Sequence, residues 1–301
     1  NYGMYANFGQ QSFTYTPPAG YKTLCTKNLP KTVPSIVRPK KHFDTLLYTG
    51  DGSSNNEVTG LEFKPDLVWI KSRSTTTEHI IQDSVRGAYV FTSISNGMEG
   101  ATGGGWVKNM NEHGFVTDVN APINTNSTTY VAWCWKAGGA AVSNTDGSIT
   151  TSCSANQEAG FSIITYTGTG SQTTVGHGLG KAPKVVITKL RDTTTQDWFF
   201  MPGEITGERG KYIKFNTTDG VASDIHTYPD VAPTSTVYTI GGNDGGNGSN
   251  GNGYGYVAYC WAEIPGYSKF GTYNGNSNSR GPFIHLGFRP AWLLLRRIDS
   301  G

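Results

Sequence analysis

The sequence predicts an all-β protein built of tandem, jelly-roll-like β-sandwich repeats, two complete and one truncated, and three observations carry the prediction. The first is a block that recurs. Phe43-Asp-Thr-Leu-Leu-Tyr48-Thr-Gly50, Lys64-Pro65-Asp-Leu-Val-Trp-Ile-Lys71 and Tyr130-Val-Ala-Trp-Cys-Trp135 return as Phe161-Ser-Ile-Ile-Thr-Tyr166-Thr-Gly168, Ala182-Pro183-Lys-Val-Val-Ile-Thr-Lys189 and Tyr256-Val-Ala-Tyr-Cys-Trp261. A third copy begins at Phe270-Gly-Thr-Tyr273-Asn-Gly275 and reaches Arg289-Pro290-Ala-Trp-Leu-Leu-Leu-Arg296, and tyrosine to proline spans 17 residues each time (48 to 65, 166 to 183, 273 to 290). The second is composition: with 40 Gly, 12% aromatic and only 15% charged residues, the chain suits pleated sheets joined by glycine turns. The third is periodicity, since Tyr130 to Trp135 alternates Val131, Trp133 and Trp135 with Tyr130, Ala132 and Cys134, the period of a strand.

Taken in order, residues 1–30 space Tyr2, Tyr5, Phe8, Phe13 and Tyr15 two to five apart before a Pro-Pro-Ala-Gly turn, which suggests the last strands of a preceding sandwich. Prolines at 30, 34 and 39 make 31–42 a linker held extended. Repeat 1 covers 43–139. In it Phe43 to Tyr48 is a strand, the apolar run Leu67-Val-Trp-Ile70 is a strand covered on both faces, and His79 to Asp83 and Ala88 to Ile94 are weaker strands.

Residues 140–160 are small and polar and read as a second linker, with few groups able to pack. Repeat 2 covers 161–266 with the same strand order and a late insertion, Gly241 to Gly253; insertions within a repeat map to loops. Residues 267–301 open repeat 3. An Asn1 start and a stop within a third copy read as cuts in a longer polypeptide.

A net charge of +2 from 24 basic and 22 acidic residues offers no broad field for nucleic acid or an anionic membrane. No apolar run approaches the roughly 18 residues that span a bilayer, so neither nucleic acid nor membrane insertion is expected. Cys134 and Cys260 sit at one repeat position among aromatic strand neighbours and are expected as buried, unbonded thiols.

The six histidines are scattered singly, and the Asp/Asn-Gly stretches near 50 and 244 lack the closing carboxylate of a calcium loop, so no metal or other cofactor is expected. Neither Gly-x-Ser-x-Gly nor a phosphate loop occurs, and the polar residues differ between copies: Asp66 becomes Lys184. No catalytic residue is assigned and the chain is not expected to be an enzyme. Exposed aromatics are the better lead, because their faces stack on sugars and anchor interfaces. Trp106, Trp198, Tyr254 and Tyr256 differ in context between copies and are the candidate ligand-binding residues, against the alternative that each fills a core. Trp69, Trp135 and Trp261 read as core.

Phe63-x-Pro-Asp-Leu-Val-Trp-Ile-Lys-Ser-Arg73 and Tyr130-Val-Ala-Trp-Cys-Trp-Lys-Ala-Gly138 resemble an uncharacterised domain of structural proteins of tailed phages, marine and cyanobacterial ones above all. There it follows a concanavalin A-like or SPRY-like sandwich ending as Phe8-Gly-Gln10 and Tyr15 to Lys22 do here. The second copy departs from the pattern at Ala182 and Tyr259. The resemblance implies a virion protein, assembled in the bacterial cytoplasm and carried on the tail or particle surface: a tail fibre or appendage that spaces and contacts a host glycan or protein. Its partners would be other virion proteins and, by analogy with fibres, two further copies in a trimer. The alternatives are a polysaccharide-depolymerising tailspike enzyme and a capsid-decorating fibre.

Overall fold

The computed structural model describes residue 15 and residues 35–87, 89–93, 100–101, 106–119, 121–192, 196–207, 209–242 and 248–299. The expected end of a preceding sandwich at 1–30 lies outside these residues, apart from the exposed Tyr15. Residues 35–301 belong to one compact unit, separate from 1–34.

The described chain is all-β, built on two large antiparallel sheets. With strands numbered along the chain, the first runs β1 (Phe43–Thr49), β9 (Thr129–Trp135), β3 (Leu67–Ser72), β4 (His79–Asp83), β5 (Tyr89–Ser93) and β6 (Gly100–Ala101). A smaller sheet of β2 (Asn56–Thr59), β8 (Gly114–Thr117) and β7 (Val107–Asn111) covers one of its faces. The second large sheet runs β10 (Val142–Asn144), β11 (Thr151–Asn156), β12 (Phe161–Thr167), β19 (Gly255–Trp261), β14 (Val185–Leu190), β15 (Phe199–Phe200), β16 (Lys211–Lys214) and β17 (Ala222–Ser223). The pair β13 (Thr173–Gly176) and β18 (Val237–Ile240) is its cover.

The recurring block occupies the same strands in both sheets. The Tyr-Val-Ala strand returns last and enters between the other two: Cys134 lies opposite Asp44 and Val68, and Cys260 opposite Ser162 and Val186. Tyr48 faces Tyr130 and Tyr166 faces Tyr256, each pair stacked ring on ring with centroids 5.0 and 5.2 Å apart. Because the strand period is two, Tyr130, Ala132 and Cys134 point with Val68, Ile70 and Phe115 into the first sandwich. Tyr256, Ala258 and Cys260 point with Val186, Val175 and Tyr238 into the second.

The alternate residues serve a third core. Leu67, Trp69, Trp133 and Trp135 meet Phe161, Ile163, Ile187, Val257 and Tyr259, so the two large sheets stack face on face and the layers run small sheet, large sheet, large sheet, small sheet. Each repeat closes a core of its own, and the bulky face of β9 in addition seals against the other repeat. Burying each such side chain contributes roughly 1.5–3 kcal/mol, which favours stacking over leaving two tryptophan-rich faces in water.

Three segments differ from expectation. Residues 140–160 are not a free linker. β11 pairs along β12 from Ser152↔Thr165 to Asn156↔Phe161, with Cys153 and Ser154 buried, because an extended chain of small residues satisfies the open edge of β12 at little steric cost. The described part of 31–42 is docked: Ile36 is buried with Ala159 and Ile264, and Pro39–Lys41 forms a 3-10 turn in place of extended chain. Residues 269–299 contain no strand although they carry the third copy's opening and proline segments. In the other two copies those segments pair only through the Tyr-Val-Ala strand between them, and no third such strand occurs in this sequence.

Candidate functional site

Two features sit where the large sheets meet. One is a buried ionic group. Asp83, at the end of β4, accepts the N–H groups of Val85 and Arg86 on Oδ1 at 3.1 and 2.8 Å, and the Arg86 Nε and Tyr259 hydroxyl on Oδ2 at 2.6 and 2.7 Å. Arg86 Nη2 in turn donates to the Tyr259 hydroxyl at 3.0 Å. Both charged side chains are wholly inaccessible. A carboxylate with both oxygens taken by an arginine, a phenol and two amides is a structural anion with no lone pair placed to act as a base.

The other is a cleft of about 370 Å3 between the sheets, walled by Trp69, Ile81, Trp198 and Phe215, rimmed by Asn216, Thr217 and Thr218, and bounded by Leu294 of the C-terminal segment. Its walls are fixed. Trp69 Nε1 donates to His79 Nδ1 at 2.9 Å, and the indole meets Trp133 and Phe215 edge to face, with centroids 5.7 and 6.2 Å away. Burial, helped by nearby Lys71, lowers the His79 pKa, which keeps the ring neutral and Nδ1 able to accept. Asn216 accepts the Trp198 N–H at 2.8 Å and donates to Asp197 at 2.9 Å. The C-terminal segment is tied across by Arg296, whose guanidinium donates to the carbonyls of Thr217, Asp219 and Lys214, by the Val221 N–H donating to the Ile298 carbonyl, and by Trp292 against Phe43 and Trp135.

The four candidate aromatics are not brought together. Trp198 is only 2% exposed and contributes to the cleft's floor from the shared core. Tyr256 is buried in the second sandwich, where its hydroxyl accepts the Gly251 N–H, so it is a core residue and cannot reach a ligand. Trp106 is half-buried against the first sandwich core, and Tyr254, 37% exposed, lies just before β19. Trp69, read from sequence as core, is the residue the cleft uses.

The lysines shared by the copies each bond a backbone carbonyl. Lys71 Nζ donates to the carbonyls of Ser72 and Thr75, while Lys189 is buried and donates to the Gln196 carbonyl at 2.7 Å. Asp66 is buried and accepts from Ala137 N–H and the Ser84 hydroxyl, whereas its counterpart Lys184 pairs with Glu204. His177 is a core histidine: Nδ1 accepts the Leu179 N–H, so Nε2 carries the proton facing the Thr234 carbonyl. Cys134, Cys153 and Cys260 are buried free thiols, and burial pushes all three pKa values up, Cys153 to about 11. Among the described residues no cluster of His, Cys, Asp and Glu is placed to hold a metal.

Sequence reasoning missed a pair of asparagines. Asn124 Oδ1 accepts the Asp51 N–H and its Nδ2 donates to the Ser53 carbonyl at 2.7 Å; Asn250 Oδ1 accepts the Thr169 N–H and its Nδ2 donates to the Ser171 carbonyl at 2.6 Å. Each fastens the loop after the Tyr-Thr-Gly strand to the turn before the Tyr-Val-Ala strand. Their signal was the constant interval, 124 to 130 and 250 to 256.

No curated protein and no solved structure matches the chain. A family profile matches residues 38–301, taking in both large sheets, the cleft and the C-terminal segment. The chain therefore belongs to the DUF7483 family, a domain of unknown function.

Proposed function

We propose that the chain is a structural module of a phage virion, part of a tail fibre or similar appendage, which spaces the particle from its host and contacts a host-surface glycan or protein. The observation that carries this reading is the buried contact of Tyr259 with Asp83 and Arg86 inside the shared aromatic core. It ties two copies of one unit together through a buried contact, which suits a stiff spacer. The residues common to the copies serve the same end: Tyr48 and Tyr166, Cys134 and Cys260, Asn124 and Asn250 are all engaged in cores and turns. The long Gly-rich insertion that only the second copy carries falls in a loop, which can vary without disturbing the sheets. The module acts with other virion proteins and, by analogy with fibre subunits, as a trimer on the particle surface or tail.

The test has two parts. Gold-labelled antibody against the chain, applied to intact particles, is expected to mark tail appendages; marking of the head only would replace this with a decorating fibre. Purified chain incubated with host polysaccharide is expected to be retained without shortening it. Steady shortening, abolished by one carboxylate-to-amide substitution, would overturn the reading in favour of a tailspike enzyme.

A further inference from the structure

Resting on the host-contact reading, we infer that the cleft between the two large sheets is a saccharide site that takes an uncharged pyranose unit of a host-surface glycan. A pyranose offers an apolar C–H face and a rim of hydroxyls, and the cleft presents the complement of both. Trp69, Trp198 and Phe215 supply aromatic lining, and the polar residues Asn216, Thr217 and Thr218 line it in succession, with the Thr217 hydroxyl held by the Lys214 carbonyl and the Asp219 N–H. At about 370 Å3 the space lies at the lower end of small-ligand pockets, roughly 300–1,000 Å3, enough for one or two sugar rings.

The rim retains hydrogen-bonding capacity. One Asn216 Nδ2 proton is taken by Asp197, which leaves the second for a ligand hydroxyl, and the exposed Thr218 hydroxyl has no bond among the described residues. Among the described residues no charged side chain lines the cleft. Lys214 of the neighbouring chain is paired with Asp197 at 3.1 Å and Arg296 is turned onto the carbonyls of Thr217, Asp219 and Lys214, so an anionic sugar would lose its hydration without a direct ion pair in the cleft. The walls are preorganised as well, since His79 fixes the plane of Trp69 and the Trp198 N–H fixes Asn216, and neither has to be ordered on binding. Because Trp69 comes from the first sheet and Phe215 to Thr218 from the far end of the second, the site exists only in the stacked pair.

The experiment uses the full chain, with methyl β-glucoside and methyl β-galactoside as neutral probes and glucuronic acid as the charged one, followed by tryptophan fluorescence and ligand-observed NMR. At least one neutral glycoside is expected to bind saturably, and glucuronic acid about tenfold more weakly or not at all. Thr218→Trp, which fills the mouth from an exposed position, is expected to weaken binding by about tenfold or more while leaving the melting temperature unchanged. Trp69→Phe, which keeps a ring but loses the bond to His79, is expected to weaken it less. The assignment is overturned if no neutral glycoside saturates, if glucuronic acid binds as well, or if Thr218→Trp binds like the native chain.

Retention on a panel of bacterial cells separates the two readings. Cells that hold native and Thr218→Trp chains equally would sink the cleft and leave the host contact standing. Glycoside binding that Thr218→Trp removes, in a chain that no cells hold, would support the cleft and sink the host contact.

Discussion

The Tyr259 hydroxyl donates to Asp83 Oδ2 at 2.7 Å although the two residues stand 176 apart in sequence, and this bond crosses between the two large sheets. Its position in the first copy is held by Trp133, so the contact breaks the symmetry of the repeat and gives the stacked sheets one register.

Removing the hydroxyl leaves Asp83 and Arg86 each short of a partner in a dry site. Tyr259→Phe is expected to destabilise the chain by about 1–3 kcal/mol, and Asp83→Asn, which removes the buried carboxylate that Arg86 Nε bonds, by about 3–5 kcal/mol. Guanidinium unfolding at neutral pH measures both. Since the two sandwiches share a core, the native chain is expected to unfold in a single transition; two resolved transitions, with neither moved by Tyr259→Phe, would refute the account.

Three histidines, His42 and His177 buried and His79 half-buried, set an acid limit. Burial lowers the pKa of His42, His79 and His177 from 6.5; Glu158 opposes this at His42, and the Thr234 carbonyl opposes it at His177. Between the depressed folded values and 6.5 the unfolded chain binds more protons, so stability is fully present above pH 6.5 and falls as pH drops through the folded values. Each histidine contributes a slope of at most about 1.4 kcal/mol per pH unit. Melting temperature is expected to hold from pH 7.5 to 6.5 and fall from 6.5 to 5. NMR titration of the ring protons that placed all three midpoints at or above 6.5 would contradict this.

Lys189 gives the opposite end of the curve. Burial lowers its pKa from 10.5 to about 8, against the pull of Asp197. Below pH 8 both states carry the charge; between 8 and 10.5 the unfolded chain binds the extra proton, so the contribution of Lys189 to stability rises with pH across that window, against the opposite trend of the three raised thiols. Lys189→Met is expected to abolish the rise. A native chain whose stability is flat or falling from pH 8 to 9.5, when compared with that variant, would show that the ammonium is not strained by burial.

Much of this architecture is legible in the sequence because the block repeats: β1, β3, β9 and their counterparts follow from Tyr48, Pro65 and Cys134 recurring as Tyr166, Pro183 and Cys260. Their stacking is not legible, since Val131, Trp133 and Trp135 form the same bulky alternate face whether they fill their own sandwich or seal against another. The strands at 142–156 escaped notice because Ser152, Ser154 and Asn156 carry no apolar period; their order comes from the edge of β12, a tertiary cause. The cleft was legible only in part. Trp198 was singled out, but Phe215-Asn-Thr-Thr218 has no motif, and Trp69 becomes a wall only when a second sheet lies across it.

The glycine that closes each Tyr-x-Gly offers a test with an internal control. Gly50 and Gly168 lie against the turns that precede β9 and β19: Gly50 N–H donates to the Thr128 carbonyl at 2.8 Å and Gly168 N–H to the Tyr254 carbonyl at 2.8 Å. A Cβ at Gly50 would run into the Thr125 carbonyl, and one at Gly168 into the Gly251 carbonyl, backbone atoms that the Asn124 and Asn250 bonds hold in place. At Gly275, the third copy's equivalent, a Cβ meets nothing within 4 Å, because no Tyr-Val-Ala strand and no preceding turn come back to it. Gly50→Ala and Gly168→Ala are therefore each expected to destabilise by about 1–3 kcal/mol, the range for overfilling a tight contact. Gly275→Ala is expected to stay within about 0.5 kcal/mol of the native chain. If all three substitutions destabilise alike in denaturant unfolding, the glycine serves the backbone of the strand end itself; if only the first two do, it is there for the returning turn.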